Sequence, residues 1–284
     1  MPAPVLFVGS GLAQYVGAAV AVGLFAVAGA PELGWLRILA AALVLLAWRR
    51  PWRLSWSRSA LRGAVTFGLV LAGMNIAFYL AIAHLPLGLA VAIEFAGPVS
   101  VAALTGGVRE RWGGLLAAVG VLVLSGSVLS GGALRGVPLG ADAVTGLAWI
   151  AVAAVLWAGY IVLGRRVAQD AAGHGIASLA VGMGAGALAF APFFAVSALP
   201  ELVDWRFALA VLAVGVFSSV VPYGVEQLVL RRVTAATFAV LLALLPVTAT
   251  VVGAIGLRQV PSWAELAGIA LVCAAITLTS RKRA

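Results

Sequence analysis

Of the 284 residues, 64% are hydrophobic and only 10% are charged, and the mean hydropathy is +1.15. A soluble domain is about 45–50% apolar and about 25% charged, so the charge needed to cover a water-facing surface is missing and a soluble enzyme is excluded. The net charge of +9 and pI near 11.2 do not point to nucleic acid either, because the cations fall in short clusters between apolar runs and form no continuous basic face.

A bilayer core about 30 Å thick takes roughly 20 apolar residues per helix. The chain then holds about ten spans with short loops, and the fold class is an all-α integral membrane protein. In chain order the spans are 5–28, 32–48, 60–82, 86–105, 113–129, 143–163, 176–196, 207–229, 234–256 and 264–280. Met1-Pro2-Ala3-Pro4 lacks the cationic n-region of a cleavable signal, so the first run is read as a retained helix. Ala30-Pro31-Glu32 is taken as the turn after it. A break at His84-Leu85-Pro86 divides an apolar stretch too long for one crossing, since Pro86 disfavours helical geometry at Leu85.

Arginine and lysine placement then orients the chain. One side receives Arg49, Arg50, Arg53, Arg58, Arg62, Arg109, Arg111, Arg165, Arg166, Arg231, Arg232, Arg281, Lys282 and Arg283; the other receives Arg37, Arg135, Arg206 and Arg258. The richer side is expected to be cytoplasmic, with both termini inside. Trp35, Trp48, Trp52, Trp56, Trp112, Trp205 and Trp263 fall near span ends and read as interfacial anchors.

A weak repeat accompanies this order. Pro98 and Pro246 lie 148 positions apart, and so do Gly120 and Gly268. Units at 5–130 and 143–280, each with an odd number of spans, face opposite ways, which is the inverted-repeat architecture of many secondary transporters.

Carboxylates inside a span cost roughly 2.5–3.5 kcal/mol each. Glu94 and Glu226 therefore need a polar cavity or a partner, and either suits proton exchange or an interhelical hydrogen bond. Pro98, Pro222 and Pro246 remove the helical partners of the Glu94, Ser218 and Leu242 carbonyls. Such freed carbonyls survive in a membrane where protein, water or ligand satisfies them, so the three prolines mark either helix breaks at a binding site or packing kinks. Asn75 and Tyr79 share a helix face, as do Tyr223 and Gln227. Trp157 and Tyr160 are also neighbours, and Gln14 and Tyr15 lie in the first span. Aromatic walls with a few polar groups suit a small amphiphilic ligand, although each ring alone also suits ordinary packing.

Other features carry no chemistry. Gly182-Met183-Gly184-Ala185-Gly186 lies in an apolar span, where small residues let helices approach closely. His84 and His174 sit at span ends without metal-type partners, and Cys273 is the single cysteine. No spacing implies a metal or cofactor, and no catalytic constellation is present.

The stretch Gly73-Met74-Asn75-Ile76-Ala77-Phe78-Tyr79, followed by Pro86 through Glu94-Phe95-Ala96-Gly97-Pro98, resembles the EamA branch of the drug/metabolite transporter superfamily. More narrowly, it resembles the bacterial threonine/homoserine exporter group. Trp157-Ala158-Gly159-Tyr160-Ile161 and Val221-Pro222-Tyr223-Gly224-Val225-Glu226 also match. The resemblance implies ten helices in two inverted repeats around a cavity open alternately to each side. It implies export of small amino acids or similar metabolites, driven by protons, and it supports Arg37 at the start of the second span, where these proteins are commonly basic. Members often carry a glutamate where this chain has Leu245, and the exporter group can carry a lysine where it has Val22. The partners implied are a small-molecule substrate, protons and membrane lipid, and a homodimer remains open. A multidrug exporter of the same fold and a non-transporting membrane scaffold are the competing readings.

Overall fold

The structure is a computed structural model that describes residues 3–24, 27–85, 90, 93–128, 141–169, 174–245, 248 and 263–280. Among the described residues every regular element is helical. The first helices are α1 (Ala3–Leu24), α2 (Ala30–Arg49), α3 (Arg58–Ile82), α4 (Ala96–Thr105) and α5 (Val108–Val128). They are followed by α6 (Ala141–Ala168), α7 (Gly175–Ala198), α8 (Trp205–Gly215), α9 (Val221–Leu230), α10 (Ala235–Leu241) and α11 (Trp263–Ser280). A π-helical turn, Val216–Val220, joins α8 to α9.

Local chemistry sets several boundaries. Asp204 caps α8 by accepting from the Arg206 N–H at 2.8 Å. Thr234 caps α10 by accepting from the Thr237 N–H at 3.0 Å. Both orphan donors would otherwise be unsatisfied. Pro31 lies in the first turn of α2 rather than in the preceding loop, because a proline at that position lacks an N–H the helix does not need. The expected turn is instead made by the residues before Ala30. The break near His84 is present, with turn geometry at 83–85 after α3 ends.

Five described helical runs are long and apolar enough to cross a bilayer: Ala30–Arg53, Arg58–Ile82, Val144–Ala168, Gly175–Ala198 and Trp205–Leu230. Their outward faces are apolar. On α7, Leu188, Phe193 and Val196 are 76%, 73% and 88% exposed, a surface that water would not tolerate and lipid does. The chain is a multi-pass membrane protein.

Two compact units are present. One comprises Met1–Leu12, Ala81–Ile161 and Val233–Ala284; the other comprises Ala13–Leu80 and Val162–Arg232. Each therefore takes segments from both halves of the sequence.

In the first unit α5 packs along α11. A methyl on Gly120 would come within 3.0 Å of the Gly268 carbonyl oxygen, so missing side chains set this crossing. In the second unit α2 packs along α7 and against α8. Leu33, Trp35, Leu36, Phe207, Val211 and Val214 form its core. Added methyls on Gly68 and Gly182 would overlap the opposite backbone, so α3 and α7 touch main chain to main chain. The glycine-rich stretch of α7 is thus a packing surface, as its composition implied.

Trp35 corrects the sequence reading. It is no interfacial anchor: it is 2% exposed and donates its indole N–H to the Ala187 carbonyl at 2.9 Å. A buried indole needs such an acceptor. Trp48, Trp52, Trp112, Trp205 and Trp263 are exposed, while Trp56 stacks on His174 with ring centroids 4.4 Å apart.

Candidate functional site

The site begins with a cation that composition alone would not place inside a helix. Arg37 lies on α2, one residue before the core residue Ile38, and is 8% exposed. It is therefore not one of the loop cations with which the sequence count grouped it. An arginine removed from water must be compensated, and here the compensation is aromatic and hydroxylic. Its guanidinium carbon lies 5.4 Å from the centre of the Tyr79 ring, in cation–π range. The Tyr79 and Tyr223 hydroxyls are its hydrogen-bonding partners. Its Nε has no partner. Gly34 shares this helix face, and a methyl there would come within 3.0 Å of Tyr79 Cγ. The bare Cα at Gly34 lets the tyrosine ring lie against α2.

From α3, Asn75 and Tyr79 project one turn apart, as their spacing predicts. The Asn75 amide is fully engaged. Its Nδ2 donates to the Leu71 carbonyl at 2.8 Å and to the Tyr223 hydroxyl at 3.0 Å. Its Oδ1 accepts from the Tyr223 O–H at 3.1 Å. Arg37, Asn75, Tyr79 and Tyr223 are all buried, so they form one connected polar cluster in an apolar surround. Its members polarise one another in the low local dielectric.

Tyr223 reaches the cluster because of the π turn. The Val221 N–H bonds to the Val216 carbonyl, one residue further back than in an α-helix, and Pro222 then offers no N–H to Ser218. The inserted residue shifts the register of everything after it, without interrupting the run Trp205–Leu230. The expected break at Pro222 is therefore a register change within a continuous helix. Gly215 opens this turn, and a methyl on it would lie 2.7 Å from Ala40 Cβ and 3.2 Å from the Arg37 carbonyl oxygen. The π turn thus packs directly on α2 beside Arg37. Ser218 and Ser219 are buried here, and the Ser219 Oγ has no partner.

The other expected residues lie elsewhere. Glu226 and Gln227 are buried on α9. Gln227 does not join the Asn75 cluster; it lines a cavity with Arg49, Gly175, Ile176, Leu228 and Arg231. Gln14 is half-buried on α1, and the Tyr15 side chain lies outside the described residues.

In the first unit, Glu94 is half-buried and helical, and the next residue, Phe95, is a turn residue from which α4 starts. Pro98 occupies the first turn of α4, where its missing N–H costs nothing. Phe95 packs edge-on against Trp157, ring centroids 6.2 Å apart, and Tyr160 is fully buried. A methyl on Gly97 would overlap the Ala154 carbonyl, so α4 and α6 cross closely beside Glu94. Pro246 lies outside the described residues. A turn at Leu242–Ala243 interrupts the helix ahead of it.

Sequence reasoning missed Gly34, Gly215 and Ser219. The two glycines act by what they omit, and Ser219 is a buried polar residue within the π turn. For Arg37 the signal was present: one cation within Trp35-Leu36-Arg37-Ile38-Leu39.

The family model described as the EamA-like transporter family matches residues 144–281. The threonine/homoserine exporter RhtA of Salmonella typhimurium (strain SL1344) is 36% identical over 275 residues, 94% of this chain and 88% of that protein. The protein of the same name from Escherichia coli (strain K12) is 35% identical over the same shares. One protein known by its crystal structure is 20% identical, covers 98% of this chain and 97% of its own, and superposes with a TM-score of 0.71, which establishes a shared fold.

Proposed function

This chain belongs to the EamA-like transporter family, and from that premise we propose that it exports threonine, homoserine or related small amino acids across the plasma membrane by proton-coupled alternating access. Its relatives are exporters and not enzymes.

The observation that carries the reading is Arg37. A guanidinium held by tyrosines, with an unpartnered Nε, is a receptor for a carboxylate, because its planar fork matches that group. Every amino acid brings one. Asn75 and Tyr223 fix the receptor's far side and Tyr79 floors it. Glu94, half-buried at a helix end, is the proton carrier in this reading. One charge entering across 100 mV releases about 2.3 kcal/mol, enough for a modest outward gradient.

Ten spans in two inverted repeats, with both termini cytoplasmic, complete the proposal. The interval of 148 residues supports it. Asn75 and Tyr223 differ by 148 and are hydrogen-bonded, Gly120 and Gly268 share the interval and are in contact, and the turns at Phe95 and Ala243 share it too.

The test is counterflow in proteoliposomes preloaded with unlabelled threonine or homoserine, with Glu94→Gln alongside. Transient uptake of labelled cargo by the wild type, and loss of its pH dependence in the variant, is the expected result. Absence of counterflow with every amino acid, in folded protein, would overturn the amino-acid assignment.

A further inference from the structure

The cavity that Gln227 lines belongs to none of this. It measures about 80 Å³ and is bounded by Arg49 at the end of α2, Gly175 and Ile176 at the start of α7, and Gln227, Leu228 and Arg231 at the end of α9. Two arginines at helix C-termini have an ordinary explanation, since cations there offset the helix dipole. That explanation leaves two facts over. The Gln227 side chain is 1% exposed, and both its amide nitrogen and its amide oxygen lack partners. An unpaired buried amide is costly, and this one borders a space that a small polar group fits, since a water's share of volume is about 30 Å³.

We propose that this cavity is a binding site for the headgroup of an anionic, hydroxyl-bearing phospholipid of the phosphatidylglycerol type. The chemistry of the lining selects it. Arg49 and Arg231 supply guanidinium donors for the phosphodiester oxygens. The Gln227 amide supplies two N–H donors and a carbonyl acceptor, and the acceptor calls for a hydroxyl, which the glycerol headgroup has. Leu228 and Ile176 give the lining an apolar part, against which the start of an acyl chain packs. Trp48 and Trp52, 61% and 66% exposed, belong to this end of α2, and Arg49 lies 5.6 Å from the Trp48 ring centre. Exposed tryptophans of this kind mark headgroup depth. A free phosphate ion would meet the arginines and leave the apolar lining and the amide oxygen unused.

Native mass spectrometry of the detergent-purified chain with an equimolar mixture of phosphatidylglycerol and phosphatidylethanolamine tests the site. The two arginines together contribute enough near a lipid surface for the wild type to retain phosphatidylglycerol over phosphatidylethanolamine by about tenfold or more. Arg49→Gln combined with Arg231→Gln is expected to erase that preference. Arg53→Gln combined with Arg62→Gln, an equal loss of exposed charge off the cavity, is expected to keep it. Equal loss in both pairs, or no preference in the wild type, overturns the site. Phosphatidylmethanol, an anionic phosphodiester without hydroxyls, is expected to bind less well than phosphatidylglycerol; equal retention overturns the role given to Gln227. Inorganic phosphate displacing the lipid at equal concentration would identify a soluble oxyanion as the ligand and overturn the lipid assignment.

Discussion

The Asn75 amide and the Tyr223 hydroxyl hydrogen-bond to each other in both directions, at 3.0 and 3.1 Å, across 148 residues of sequence. The pair joins α3 to α9 within one unit and holds Tyr223 where Arg37 also reaches it.

Coupling between these two side chains is measurable. Interhelical hydrogen bonds in membranes average about 0.6 kcal/mol and reach about 1.7. A double-mutant cycle of Asn75→Ala and Tyr223→Phe, read by thermal unfolding in detergent, is expected to give about 1 kcal/mol, towards the upper part of that range, because the contact is buried and doubly bonded. A coupling near zero would mean the contact does not hold the cluster.

Arg37→Lys keeps the charge and loses the planar fork. If Arg37 receives the cargo carboxylate, half-saturation in counterflow rises about tenfold or more, since hydrogen bonds to charged groups contribute about 1.5–3 kcal/mol. Competition by threoninol, which has no carboxylate, should be unchanged. Equal weakening of both ligands would assign Arg37 to structure alone.

Glycine substitutions separate close packing from open surface. Gly68→Ala and Gly182→Ala force a methyl into opposing backbone, and each is expected to destabilise by about 1–3 kcal/mol. Gly63→Ala and Gly224→Ala meet nothing within 4 Å and should be neutral or stabilising by up to about 1 kcal/mol through helix propensity. Thermal melts of the four variants side by side check both halves.

Pro222→Ala restores the N–H that Ser218 lacks. The π turn then loses one of its causes, and the α8–α9 run is expected to straighten towards a regular helix. Hydrogen exchange over 216–222 should slow while counterflow falls, because Tyr223 rotates away from Asn75. Faster exchange with intact transport would show that the turn is set by packing alone.

Much of the fold was legible in the sequence because membrane helices announce themselves by length and apolarity. The boundaries of α3 and α7 and the turn near His84 follow from residue type. Asn75 and Tyr79 were legible as a shared face. Trp35 was misread because it looks like an end-of-span residue in a linear count; Arg37, named at the start of the second span, is buried beside it by the packing of α2 against α7 and α8. Four-residue spacing places Gln227 on the helix face of Tyr223, but it does not say which end of that face meets a cavity. The π turn has no signature beyond Pro222, so its effect on Ser219 and Tyr223 was not readable.

The hydrogen bond from Trp35 to Ala187 spans 152 residues of a chain that is made in order from its N-terminus. At about 5–20 residues per second the indole emerges roughly 8–30 s before its acceptor exists. During that interval α2 carries Arg37 and an unpaired indole into the bilayer with neither α7 nor α9 yet made. The nascent helix must wait at the interface, or beside the insertion machinery, until the second half of the chain arrives to bury it.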